Sequence, residues 1–252
     1  MNNSPIKALL ILLLACMFLS TAVIAADEEK TDNVAVVWQM DITDGKHQIF
    51  EDAIKSFHNL YNKKPGHANW NWYKVETGPD TGQYIARSAN HNWADLDAME
   101  NIWDDDLGKF WTLNVAPLIE NAEKYLTMGD DEIYHWTEGK KYKFYTLRDM
   151  HIKPGMDFSK HLKVIHETLQ KGGFKNDYAL SWNISGGYGN SATFVFPAES
   201  WADMAEPSPT FAEVMKKNMD EDDFDELLGN YRDSYKTARS RIVRALPDLN
   251  TK

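Results

Sequence analysis

Cysteine is almost absent from this 252-residue chain, and its single copy, Cys16, lies in an apolar N-terminal segment. One cysteine cannot form an internal disulfide. The chain beyond Cys16 therefore has neither a thiolate nucleophile nor a cysteine ligand for a metal. A chain of this length buries enough apolar surface to fold without disulfides.

Concentrated positive charge is also missing, and the formal net charge is −11. Nucleic-acid binding depends on clustered lysine and arginine, so we expect no nucleic-acid partner. An anionic membrane surface is excluded as a partner for the same reason. The acidic balance favours solubility outside the cytoplasm.

Short motifs of common catalytic and metal sites are lacking too. The sequence contains no His-Glu-x-x-His pattern for zinc and no Gly-x-Ser-x-Gly nucleophile turn. The acidic runs 104–106 and 220–223 lack the spacing and central glycine of a calcium loop. We therefore predict no bound metal, and whether the chain is an enzyme stays open.

The N-terminus has the pattern of a signal peptide. Lys7 precedes the apolar run 8–19, and the small residues near 23–25 fit a cleavage site. We predict a signal peptide at 1–26, a periplasmic or secreted protein, and no stable membrane anchor after cleavage. An uncleaved anchor is the alternative, but the run is short and the charged residues 27–30 come soon after it.

The chain contains an internal repeat. The stretch Trp93-Ala94-Asp95-Leu96 returns as Trp201-Ala202-Asp203-Met204, 108 residues later. Other identical residues recur at the same offset, among them Asp41 and Asp149, Phe50 and Phe158, and His58 and His166. A run of such matches in chain order indicates a duplicated unit.

Apolar periodicity gives both halves the same order of elements. For the first half it predicts strands at 33–42, 70–77, 83–89 and 132–136, and helices at 49–61, from 93, and at 107–125. For the second half it predicts strands at 142–150, 178–185, 191–196 and 241–246, and helices at 158–169 and 211–235. Each unit is thus β-α-β-β-α-β, the ferredoxin-like motif. We place the units at 27–138 and 139–252.

A ferredoxin-like sheet carries helices on one face only, so its other face needs a partner. In element order and in its repeated Trp-Ala-Asp turns, the chain resembles the dimeric α/β-barrel superfamily, which includes NIPSNAP-like proteins and antibiotic-biosynthesis monooxygenases. The resemblance covers about 33–246. It implies an α+β fold in which two tandem units pack sheet to sheet as a barrel within one chain, and it allows cofactor-independent oxidative chemistry.

His58 and His166 are the most suggestive pair for chemistry. They occupy equivalent edges of two apolar helix stripes. Either can serve as a general base, or as an axial ligand if haem binds. The alternative is a histidine at the boundary between helix and sheet. We predict no other cofactor.

Asp41 and Arg87 complete the catalytic candidates with His58. Asp41, like Asp149, ends a predicted first strand, where a carboxylate can face a pocket mouth or simply begin a turn. Arg87 lies in the third strand, whereas Val195 stands 108 residues after it.

Aromatic and charged side chains alternate on the strands of the first unit. Trp38, Trp70 and Trp72 can line a pocket for an apolar ligand or can form core. Strand alternation places Lys74 and Glu76 on the same face as Trp70 and Trp72. Because the second-unit counterparts are apolar, the first unit is the better candidate for a polar site, with an exposed sheet edge as the alternative. The predicted ligand-binding residues are Trp38, Trp70, Trp72, Lys74, Glu76 and His166.

These patterns are compatible with three functions. The first is binding of a small, largely apolar or aromatic molecule, with or without monooxygenase-like chemistry. The second is a non-enzymatic interaction or scaffold protein with a packed interior and an exposed apolar patch. The third is haem binding through His58 or His166. Further self-association is compatible with all three.

Overall fold

A computed structural model describes residues 32–251 of the chain. The predicted signal peptide, 1–26, lies outside the described residues. Within them, no helix has both the length and the apolar character needed to cross a membrane.

The first unit has the predicted order of elements. Its strands are β1 Val34–Ile42, β2 Asn71–Val75, β3 Tyr84–His91 and β4 Ile119–His135, and its helices are α1 His47–Tyr61, α2 Trp93–Asn101 and α3 Asp105–Phe110.

The second unit repeats that order. Its strands are β5 Phe144–Ile152, β6 Tyr178–Ser185, β7 Ser191–Ala198 and β8 Tyr235–Ala245, and its helices are α4 Phe158–Lys171, α5 Phe211–Asn218 and α6 Glu221–Asp233.

The eight strands form one closed antiparallel barrel in the order β1-β3-β2-β8-β5-β7-β6-β4. Within each unit the strand order is that of a ferredoxin-like sheet: β4-β1-β3-β2 and β8-β5-β7-β6. The units join where β2 pairs with β8 and where β4 pairs with β6. The predicted intrachain dimeric α/β barrel is therefore confirmed.

Strand alternation divides the side chains between two environments. On β1, Val36 and Met40 face the helices, whereas Val37, Gln39 and Asp41 face the inside of the barrel. Because helices cover the outer face and the partner sheet covers the inner face, most of β1 is buried.

The first helix of each unit buries an equivalent set of side chains. The buried stripe of α1 comprises Phe50, Ile54, Phe57, His58 and Tyr61. The buried stripe of α4 comprises Phe158, Leu162, Ile165 and Leu169, and half-buried His166 completes it. Each member lies 108 residues after its counterpart, so the same face of each helix packs on its sheet.

The first strands do not keep the 108-residue offset. Gln39 lies opposite Ile85 of β3, and Asp149 lies opposite Thr193 of β7, which is 108 positions after Ile85. The counterpart of Asp149 is therefore Gln39, and the predicted equivalence with Asp41 is wrong by two positions. A shift of two keeps every side chain on its own face of the sheet.

The predicted helix 107–125 is wrong in its second half. α3 continues through a π turn, Trp111–Val115, and a 3₁₀ turn, Ala116–Leu118, before β4 begins. Pro117 has no backbone N–H to continue a helix. β4 then pairs with β1 and β6, and these distant partners, absent from the local sequence, decide its conformation.

The predicted limits of the last helix and strand are wrong for the same reason. The region 211–235 contains two helices, α5 and α6, and β8 already begins at Tyr235 rather than at 241. Its early part is polar and exposed, but it pairs with β5 along its length.

The two Trp-Ala-Asp turns share a cap but lead into different elements. In the first copy the Asn92 N–H donates to Asp95 Oδ2 at 2.8 Å, and the helix α2 forms. In the second, the Asp203 N–H donates to Ser200 Oγ at 3.3 Å, but only the 3₁₀ turn Ala202–Met204 forms. The motif thus marks a position in the fold.

Candidate functional site

Two cavities are candidates for a functional site. The first, called the lumen, is the inside of the barrel, with a volume of about 1150 Å³ and side chains from all eight strands. The second, called the cleft, has a volume of about 570 Å³ and lies between α4 and the strands of the second unit. The volume of the cleft is in the range typical of small-molecule sites, and the lumen is somewhat larger than that range.

One half of the lumen is filled by a charged network around Arg241, which is 6% exposed. Arg241 Nη1 donates to Gln39 Oε1 at 2.9 Å and to Asp80 Oδ2 at 3.1 Å. Its Nε lies 3.5 Å from Asp149 Oδ2, and Arg239 Nη2 lies 2.7 Å from Asp80 Oδ2. These arginines are neutralised by their partners, so the network ties the two units together.

The other half of the lumen, called the aromatic half, is lined by Tyr73, Tyr145, Trp136 and Arg87. The rings of Tyr73 and Tyr145 meet edge to face with centroids 5.4 Å apart. Trp136 is nearly parallel to Tyr145, at 11° and 6.4 Å. Burial raises the pKa of both tyrosines, while the positive charge of Arg87 acts in the opposite direction. Both phenols are therefore protonated at neutral pH.

The cleft has apolar walls and a few polar groups, the composition typical of small-molecule sites. Arg148 of β5 and His166 of α4 provide its basic nitrogen groups, and Asn176, Asp177, Asp203 and Glu206 add an amide and three carboxyl groups. The main apolar lining residues are Leu162, Ile165, Leu169, Phe174, Phe194 and Phe211.

His166 is the predicted ligand-binding residue that the structure places in the cleft. Its Nδ1 is hydrogen-bonded to the Tyr178 hydroxyl at 3.0 Å. Burial, and then the charge of His135, lower the pKa of His166. The imidazole is therefore neutral at pH 7, which is the form that accepts a proton or binds a metal.

The three predicted pocket tryptophans lie outside both cavities. Trp72 is 4% exposed, and Trp38 and Trp70 pack against the same helix–sheet core of the first unit. They form core, the alternative that the sequence left open.

Lys74 and Glu76 share the outer face of the sheet with Trp72, as strand alternation predicted, but each is engaged elsewhere. Lys74 Nζ donates to the Tyr84 hydroxyl at 3.2 Å, and that hydroxyl donates to Glu51 Oε1 at 2.7 Å. Glu76 Oε1 lies 2.7 Å from Arg244 Nε. Neither side chain lines the lumen or the cleft.

His58 is buried in the core of the first unit. It is 6% exposed and its ring centroid lies 5.9 Å from that of Trp72. Burial lowers its pKa to about 4, against the effect of a hydrogen bond with the backbone of Leu249. It contacts neither cavity, so the structure favours the boundary histidine for His58.

Asp41 and Arg87 both line the lumen, but on different strands. Asp41 is two residues after Gln39 on the inner face of β1, and Arg87 lies on β3 in the aromatic half. The structure therefore separates the three catalytic candidates, because His58 is on the other side of the sheet. Among residues 32–251, no three His, Cys, Asp or Glu side chains form a group that could hold a metal ion.

Sequence reasoning missed Arg148, Arg241 and Trp136. The signal for Arg148 was present, because it occupies in β5 the position that Trp38 occupies in β1. Trp38 lies opposite Ala86, and Arg148 lies opposite Phe194, 108 positions after Ala86. With a fixed offset of 108 residues, Trp38 is compared with Thr146 instead of Arg148, so the sequence comparison missed this exchange.

The sequence matches no protein-family model and no curated protein. Solved structures share its fold. A candidate monooxygenase from Lactobacillus acidophilus NCFM matches with a TM-score of 0.55 at 10% identity, over 88% of this chain and 96% of that chain. An anthrone oxidase-like protein matches with 0.53 at 8% identity, over 85% and 92%.

A chlorite dismutase from Candidatus Nitrospira defluvii, in complex with imidazole, matches with a TM-score of 0.53 at 6% identity, over 87% of this chain and 93% of that chain. Identities this low show the fold alone. The chain shares the fold of these dimeric α/β-barrel proteins, in which two ferredoxin-like units close one barrel, as the sequence resemblance predicted.

The lowered pKa of His58 makes stability depend on pH. Its pKa is about 4 in the folded protein and about 6.5 when unfolded, so the unfolded chain binds the proton more readily. Stability is therefore lost as the pH falls from about 6.5 toward 4. We expect this histidine to contribute a loss of about 2–3 kcal/mol between pH 7 and pH 4.5.

Urea unfolding of the wild type and of His58→Gln at these two pH values measures the effect. The variant should lose less stability on acidification, whatever its stability at pH 7. An equal loss in both proteins would show that the pKa of His58 does not differ between the folded and the unfolded chain.

Proposed function

We propose that this protein binds a small, largely apolar or aromatic molecule in the cleft of the second unit. The observation that carries the proposal is an apolar cavity of about 570 Å³ with Arg148 and His166 at its wall. Arginine ion pairs in the described part of the chain are made by Arg239, Arg241 and Arg244. Arg148 makes none, so it is available to a polar group of the ligand.

The exchange between the units supports the cleft as the binding site. In the first unit, the bulky Trp38 occupies the position on the helix side of the sheet and packs into the core. In the second unit, Arg148 occupies that position and lines a cavity. The packed interior required by a scaffold role is thus present in the first unit, whereas the cleft favours a ligand.

Filling the cleft tests this proposal. Arg148→Trp imitates the first unit, and Arg148→Leu removes the charge without filling the space. With 1-anilinonaphthalene-8-sulfonate as probe, we expect Arg148→Trp to weaken binding by about tenfold or more, and Arg148→Leu to weaken it less. The measurement is a fluorescence titration at pH 7.

Thermal unfolding should first show that both variants keep a cooperative transition, because this dye also binds partly unfolded chains. Unchanged probe binding by Arg148→Trp would place the ligand elsewhere.

Haem is a second candidate ligand of the cleft, and His166 favours it. Tyr178 engages Nδ1 of His166, which leaves Nε2 to bind iron, and Arg148 can pair with a propionate. His58 does not fit, because it is enclosed in core. When bound, haem supplies redox chemistry at its iron; the chain contributes the axial nitrogen and the apolar walls.

Haemin titration distinguishes the two ligands. We expect a shifted Soret band with the wild type and with His58→Gln, and no such band with His166→Ala. Equal spectra for wild type and His166→Ala would exclude His166 as the ligand of the iron.

Cofactor-independent oxygenation is the alternative chemistry for a bound aromatic molecule. A neutral imidazole can accept the proton of a phenol, and His166 is the residue of the cleft suited to this step. This assignment of His166 as a base stays a prediction.

Export is part of the proposal, supported by the signal-peptide pattern at 1–26. We expect the protein from its own host to appear outside the cytoplasm with an intact mass that lacks these residues. A full-length mass in that fraction would indicate an uncleaved anchor instead. Native mass spectrometry of the same sample would reveal a retained ligand.

A further inference from the structure

Arg87 is a cation inside the barrel for which the described residues supply no paired anion. It lies in β3, opposite Val37 of β1 and Asn71 of β2, and it lines the lumen. Within residues 32–251 it makes no ion pair, in contrast to Arg239 and Arg241 in the other half of the lumen. An unpaired guanidinium in a partly desolvated space attracts an anion.

Two further donors face the same space. The hydroxyls of Tyr73 and Tyr145 have no hydrogen-bond partner within the described part of the chain. Burial keeps both protonated, and the charge of Arg87 acts on both. Three donors that find no acceptor among residues 32–251 therefore border one region, and a ligand that supplies acceptor oxygens satisfies them together.

The surroundings of these donors are aromatic and apolar. Trp136 and Tyr145 present nearly parallel rings. Val37, Ile85 and Val243 are buried and form an apolar cluster with the two tyrosines. A ligand here needs an apolar, ring-bearing body beside its anionic group.

We propose that the aromatic half of the lumen is a binding site for an aromatic carboxylate. Its carboxylate pairs with the Arg87 guanidinium and accepts from the hydroxyls of Tyr73 and Tyr145, and its ring lies against Trp136. The planar guanidinium matches a carboxylate in two-point geometry. This site lies on the opposite face of the sheet from the cleft and does not depend on the function proposed there.

The charged half of the lumen explains why the anion is held at Arg87 and not at the other arginines. Arg241 and Arg239 already share the carboxylates of Asp80 and Asp149. An added anion there meets charges of its own sign. The residue 108 positions after Arg87 is the apolar Val195. Of the two units, only the first therefore has an arginine at this position.

Calorimetric titration with 2-naphthoate, and with neutral 2-naphthamide as its matched control, tests the site. Titrations use the Arg148→Trp protein, in which the cleft is filled, and the wild type. We expect naphthoate to bind both proteins, and naphthamide to bind about tenfold or more weakly. Arg87→Leu should remove this preference, and Arg87→Lys should retain part of it.

The tyrosines supply the second readout, because phenylalanine keeps the ring and removes the hydroxyl. Tyr73→Phe and Tyr145→Phe should each weaken naphthoate by about three- to tenfold and leave naphthamide unchanged. The two tyrosine variants also test the site independently of Arg87→Leu, in case that variant does not fold.

Three results would overturn the proposal: no binding of naphthoate at millimolar concentration, equal affinity for the acid and the amide, or undiminished affinity in both tyrosine variants. A fourth result would also overturn it: binding that Arg148→Trp abolishes would assign naphthoate to the cleft and leave the function proposed there intact.

Discussion

Each ferredoxin-like sheet has one face without helices, and the burial of these two faces against each other governs the whole architecture. Closure through β2–β8 and β4–β6 pairs every strand on both sides and leaves no open sheet edge. It also encloses charged side chains, which explains the network around Arg241. That residue contacts Gln39 and Asp80 of the first unit and Asp149 of the second. The lumen, its polar half and its aromatic half all result from this closure.

Duplication gives the two units the same frame and frees their side chains to differ. Arg148 stands where the first unit has Trp38, so a cleft opens beneath α4. Arg87 stands in the first unit where the second has Val195, so the lumen contains a guanidinium outside the charged network. These two arginines, which make no ion pair within the part of the chain that the structure describes, thus lie on opposite faces of the barrel wall. The candidate binding residues thus lie at positions where the two units differ in sequence.

The fold was largely predictable because its signals are local or periodic. The helix stripes that include Phe50 and Phe158, and the hairpins that come after them, are where periodicity placed them. The errors fall on β4 and β8. Both begin with polar, exposed residues that read locally as helix, and they form strands because of partners far along the chain. The first-strand offset was missed because a shift of two residues preserves the apolar alternation.

Local pattern was sufficient to define the unit, its repetition and the side of each strand that faces the helices, because 2.0- and 3.6-residue periods fix which side chains share a face. It also singled out Arg87, Asp41 and His166, which do line cavities. Packing in three dimensions was needed to show that Trp38, Trp70 and Trp72 are core and that His58 is enclosed. A cavity is the space left between elements. Its existence depends on the volumes of side chains brought together from distant parts of the chain, and no local pattern records that sum.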